Sequence, residues 1–172
     1  MTATTALTAV PAFADPLTAA NTQPVKMLDM ATGASVTCNS STATGTSSGG
    51  NPPFVMTGVT FSGCNSIGGL AVAVQPGNLP WVFSQIASSG GVIWGQLTGF
   101  KLQFMIAGLG CTVTVTGPGG GPGSIPGTFT SSSSVLDLGS STNLVIVSTF
   151  GPCAGLFITG DIISLRAQYH VS

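Results

Sequence analysis

The sequence predicts an antiparallel all-β domain, a Greek-key β-sandwich or jelly roll of about ten short strands. Three observations carry this expectation. Apolar residues come in short runs broken by Gly, Pro, Asn and Ser, the punctuation of strands and turns. No segment repeats with the 3.6-residue period of an amphipathic helix. The stretch 56–81 shows the pattern best: Met56-Thr-Gly-Val-Thr-Phe-Ser-Gly-Cys64 and Leu70-Ala-Val-Ala-Val-Gln75 are joined by a Gly-rich turn, and a second turn, Pro76-Gly-Asn-Leu-Pro80, delivers Trp81.

In chain order, residues 1–14 read as the remnant of a signal peptide or an apolar N-terminal arm. Ala12-Phe13-Ala14 has the small-x-small form of a cleavage site, but no basic stretch precedes it. Residues 15–33 read as an extended lead-in, with 25–30 a short strand or helical turn. Residues 34–172 read as a single disulfide-stapled β domain. Within it, 34–41 is a strand and the Ser/Gly/Pro-rich stretch 42–53 a mobile loop. Residues 81–86 form a strand and 87–91 a turn.

In the long segment 92–106, Phe100, Leu102 and Phe104 alternate with Lys101 and Gln103, so one face is buried and the other wet. Gly95 and Gly99 mark a bulge or bend there. Residues 111–116 alternate strictly, with Val113 and Val115 inward. Residues 117–127 hold too much Gly and Pro for a strand and read as a loop. Further strands cover 128–130, 135–138 and 143–149. At the end of the chain, Ile163, Leu165, Ala167, Tyr169 and Val171 face one way, and Ser164, Arg166, Gln168 and His170 the other.

Charged residues make up only 4% of the chain, against about 25% in typical soluble domains. They are Asp15, Lys26, Asp29, Lys101, Asp137, Asp161 and Arg166, and His170 is the only histidine. Without a basic patch, nucleic acid is excluded as a partner, and so is electrostatic docking on anionic membranes. No apolar run reaches the roughly 18 residues of a membrane span. A surface of Ser, Thr and Gly has little charge repulsion and favours self-association.

The cysteines are Cys38, Cys64, Cys111 and Cys153. They form no Cys-x-x-Cys pair, and one histidine does not complete a zinc site, so disulfides are expected. Of the three pairings, the sequential one is preferred: Cys38–Cys64 and Cys111–Cys153. Each bridge would contribute about 3–4 kcal/mol in the chain-entropy model. Disulfides imply an oxidising, extracytoplasmic home.

Few motifs suggest chemistry. Val135-Leu-Asp137-Leu-Gly139-Ser-Ser141 resembles an aspartic-protease loop. That mechanism needs two facing carboxylates, hence a dimer, and Leu138 replaces the bracing hydroxyl. A turn after a strand is the plainer reading. Gly45-Thr-Ser47-Ser-Gly49 matches a nucleophile-elbow pattern but lacks its strand-to-helix setting. The 117–127 run lacks the Lys-Ser/Thr ending of a phosphate loop. Trp81 and Trp94 are candidates for stacking on a sugar, or else core tryptophans. No cofactor or metal is expected.

At Phe61-Ser-Gly-Cys64, Leu79-Pro-Trp81, Gly110-Cys111-Thr-Val-Thr-Val115, Cys153-Ala-Gly-Leu156 and Gly160-Asp161, the chain resembles small secreted actinobacterial proteins of unassigned function. More distantly it resembles the PraB-type secreted proteins, termed alkane-oxidation activators and linked to biofilm. The resemblance implies an exported, β-rich surface or matrix protein without known catalytic residues.

The functional expectation is therefore a non-enzymatic, secreted structural protein. It would self-assemble into a fibre, sheath or biofilm matrix, with residues 2–10 and 25–30 as strands donated to a neighbour. The alternatives are a monomeric secreted module that binds glycans or apolar surfaces, and, more remotely, a dimeric aspartic-protease-like enzyme at Asp137.

Overall fold

The computed structural model describes residues 14–139, 143–153 and 155–172. Among them lie twelve strands: β1 (Asp15–Asn21), β2 (Val25–Asp29), β3 (Ser35–Ser48), β4 (Asn51–Asn65), β5 (Val72–Gly77), β6 (Trp81–Ser89), β7 (Val92–Ile106), β8 (Cys111–Thr116), β9 (Gly123–Thr130), β10 (Val135–Gly139), β11 (Val145–Phe150) and β12 (Ile163–Val171). Among the described residues, helix is confined to two single turns of 3-10 geometry. The all-β antiparallel architecture expected from the sequence is the observed one, and it is consistent with a β-sandwich.

The two faces of this sandwich are joined on both sides. β3 pairs with β4, β4 with β6, β6 with β7, and β7 with β9. β9 pairs with β10, β10 with β12, β12 with β1, and β1 with β3 again. The circuit closes as in a barrel, which removes its free edges. β2 lies end to end with β1, in the same place between β3 and β12. Past Phe100, β7 leaves the circuit. Its second half pairs with β5 and β8, and β8 with β11, forming a second, open sheet.

Alternation explains most of the core. Ile163, Leu165, Ala167, Tyr169 and Val171 of β12 are all buried, as are Val113 and Val115 of β8. Phe129 meets Phe54 edge to face at 4.9 Å, although their strands are not neighbours in the circuit. The interior is therefore filled by rings. A second contact, Phe104 on Phe157 at 5.0 Å, sits beneath the open sheet.

Several sequence expectations need correction. Residues 15–33 are no lead-in: β1 and β2 are central strands, so the domain begins before residue 34. Asn21 makes the handover between them possible. Its amide donates to the Asn39 carbonyl and accepts from the Ser41 N–H, satisfying backbone groups that neither strand reaches.

The stretch 42–53 is no loop but the turn end of a long hairpin, β3–β4. Threonine is a good strand former, and the Thr42 and Thr60 hydroxyls bond across its outer face at 2.7 Å. Only Gly49 and Gly50 turn, both at positive φ (61° and 72°), as a two-residue hairpin requires. Likewise β6 runs on to Ser89, and β9 begins at Gly123 inside the expected 117–127 loop. Gly99 does mark a bulge: its φ is 83°, and the β7–β9 register shifts between Thr98 and Phe100. The β2 strand is committed to its own sheet and is not a spare arm. Residues 2–10, and nearly all of the proposed signal segment, lie outside the described residues.

Candidate functional site

Both preferred disulfides are present. Cys38–Cys64 joins directly opposed residues of β3 and β4. Cys111–Cys153 ties the start of β8 to the segment after β11.

The two tryptophans have opposite surroundings. Trp81 is only 3% exposed, its Nε1 donates to the Gly77 carbonyl at 2.8 Å, and its ring leans on Phe100 at 4.8 Å. It is a core residue with no face left for a ligand, which corrects its candidacy for stacking. Trp94 is 44% exposed. On β7 its neighbours Gly95 and Leu97 point inward, so the indole points outward.

Register then decides what stands beside Trp94. It lies opposite Thr128 of β9, Thr128 opposite Asp137 of β10, and Asp137 opposite Gln168 of β12. Four outward side chains thus form one row across four strands, spanning roughly 14 Å at the usual inter-strand spacing. The row floors a groove of about 550 Å³, also lined by Gln23 and Arg166. Gln168 is held in place: its Oε1 accepts from the Thr22 hydroxyl at 2.6 Å and from Gln23 Nε2 at 3.4 Å. Its own Nε2 remains as a donor. Arg166 lies over Gly139, with Cγ 3.8 Å from where a Cβ would sit there. The groove thus offers one exposed aromatic face, a carboxylate, two amides, a hydroxyl and a guanidinium.

Asp137 is mid-strand with its side chain outward, rather than in a turn, and Thr128 and Gln168 flank it on the neighbouring strands. Ser140 and Ser141 of that motif lie outside the described residues. The Gly45–Gly49 pattern runs along β3 into its hairpin and not into an elbow. His170 is exposed on the outer face of β12. Among the described residues no group of three or more His, Cys, Asp or Glu is placed to hold a metal. No helix among them is long and apolar enough to cross a membrane.

A second polar row crosses the open sheet, through Gln75, Gln103, Thr114 and Ser148. It floors a groove of about 480 Å³ that is lined by no aromatic residue.

Sequence reasoning picked out Trp94 and Asp137 separately but missed Thr128, Gln168, Arg166 and Gln23. The outward parity of Arg166 and Gln168 was legible, but their alignment with Trp94 was not. No protein-family model matches the chain, and neither the curated proteins nor the solved structures searched contain a significant match.

Proposed function

We propose that this is a secreted, non-catalytic module that binds neutral glycan chains along the Trp94 groove. The single observation that carries the reading is the row Trp94–Thr128–Asp137–Gln168. An apolar ring face beside convergent donors and acceptors is what a sugar needs, since it has apolar C–H faces and a rim of hydroxyls. The two disulfides are compatible with an oxidising compartment.

The test is calorimetric titration of the whole chain with soluble oligosaccharides of glucose, N-acetylglucosamine and mannose. Saturable binding to at least one is expected, weakened tenfold or more in Trp94→Ala with unchanged thermal stability. No binding to any of them, or equal binding by the variant, would refute the reading.

One observation favours assembly as a second reading. Among the described residues the open sheet keeps edges: β5 is paired by a strand only with β7, and β11 only with β8. Phe150, at the end of β11, is 79% exposed. An open edge beside a bare ring invites strand addition from another copy, in line with the resemblance to biofilm-linked proteins. Sedimentation across a wide concentration range should show Phe150-dependent oligomers, reduced in Phe150→Asp. A concentration-independent monomer would end this reading.

A further inference from the structure

Asp29 and Asp161 lie 132 residues apart in sequence and meet at one corner of the fold. Asp29 is the last residue of β2 and points inward, like Val25 and Met27. It is wholly buried. Its Oδ1 accepts from the N–H groups of Ala31 and Thr32 at 2.9 and 3.0 Å. Its Oδ2 has no hydrogen-bond donor and is closed off from water, and the same holds for Oδ2 of Asp161. Asp29 lies opposite Ile163 in the β2–β12 register, and Met30 N–H donates to the Ile162 carbonyl, which brings the Asp161 side chain beside that of Asp29. Two ionised carboxylates do not stand together like this without a compensating charge.

The neighbouring charges do not compensate. β2 also carries Lys26, and β12 carries Arg166 and His170, all three on the outward face. Tyr169 is inward but bonds Ser41, at the other end of β12. Ser35–Ser48 of β3, Val145–Phe150 of β11 and residues 151–160 contain no acid, base or free thiol. A divalent cation would need oxygen ligands at about 2.3–2.6 Å and room for several of them, whereas both Oδ2 atoms are sealed. A proton needs no room.

We infer that Asp161 carries a proton and donates it in a hydrogen bond to Oδ2 of Asp29, and that this bond clasps the segment 160–163 against β2 and β11. The segment is what closes this corner. Ile146 N–H donates to the Asp161 carbonyl, Gly160 N–H to the Ile146 carbonyl, Ile163 N–H to the Leu144 carbonyl, and Met30 N–H to the Ile162 carbonyl, all at 2.8–2.9 Å. It thereby covers the outer edge of the first half of β11. Burial of its carboxyl pushes the pKa of Asp161 up, and the charge and hydrogen bond of Asp29 beside it push the same way, against a backbone bond from Ile158.

A raised native pKa means that the closed state holds a proton which the open state releases. The clasp is complete below the ordinary aspartate range and is lost as pH rises to the raised value of Asp161. Across that window the closed-to-open ratio falls as pH rises, by no more than about tenfold per pH unit, the limit for one proton. Above it the ratio is flat.

The experiment is hydrogen exchange by NMR on the whole chain from pH 4 upward, read as protection factors at Ile146, Gly160 and Ile163. Wild type should lose protection with this slope, and its melting temperature should fall over the same window. Asp161→Asn, and separately Asp29→Asn, should abolish the slope, because the amide donates permanently to the remaining carboxylate. The second variant keeps the test decisive if the first fails to fold. Protection that is flat or rises with pH in wild type, or an unchanged slope in a folded variant, overturns the inference. So does a rise in melting temperature on adding calcium at neutral pH, which would mark a cation site instead.

Discussion

Trp81 and Trp94 are thirteen positions apart in the sequence and are the same residue type doing opposite work. Trp81 fills core space and bonds Gly77, so Trp81→Ala should cost about 3–5 kcal/mol through the cavity it leaves. Chemical denaturation would show this as a lower midpoint. Trp94→Ala, on an outer face, should shift that midpoint by no more than about 0.5 kcal/mol while abolishing the proposed glycan binding. A large stability loss in both variants would mean that Trp94 is structural and that the groove is incidental. Asn21 and Gln168 are a further pair of amides whose roles follow from position alone. One completes the backbone bonding between β1 and β2, and the other lines the groove.

Among the elements, the β3–β4 hairpin depends on a missing side chain. At Gly45 the register with β4 shifts, and a Cβ there would run into the carbonyl oxygen of Val55 and lie 3.0 Å from the Met56 Cα. Neither is a flexible side-chain end that moves aside at low cost. Gly45→Ala should therefore destabilise the protein by about 1–3 kcal/mol, as overpacking does. Thermal melts of Gly45→Ala and of Gly33→Ala, where a Cβ meets nothing within 4 Å but φ is +76°, would separate steric crowding from backbone strain. Equal losses would argue against the collision. The β7 strand is the other decisive element. Its 15 residues serve both sheets, and the bulge at Gly99 lies where it changes partners.

For the whole molecule, closure of the circuit and the two disulfides act at different levels. Closure satisfies backbone groups that an open sheet would leave bare. The bridges span 26 and 42 residues and restrict the unfolded chain, contributing about 3–4 kcal/mol each. Removing one by paired Cys→Ala substitution should lower the melting temperature on the order of 10 °C for a domain of this size. Cys38–Cys64 lies within an existing hairpin, while Cys111–Cys153 holds down the segment leading to Asp161. Loss of the second should therefore also reduce hydrogen-exchange protection at Gly160, and loss of the first should not. Equal effects at Gly160 would separate the bridge from the clasp.

The sequence by itself determined the class of the fold, the inward faces of β8 and β12, and the candidacy of four cysteines for two bridges. Those properties are local: side-chain alternation follows from strand geometry, and composition decides what can be buried. Polar strands escaped it. In 42–48 and 123–127, Thr, Ser, Gly and Pro look like loop, because the outer face of a closed sheet accepts the same residues that a loop does. Tertiary structure alone decided that 15–29 is central, that Trp81 is buried and Trp94 bare, and that Trp94, Thr128, Asp137 and Gln168 stand in one row. It alone brought Asp29 to Asp161. Alternation assigns a residue to a face but not to a neighbour; the neighbour depends on register between strands distant in sequence, which is settled only when the whole core packs.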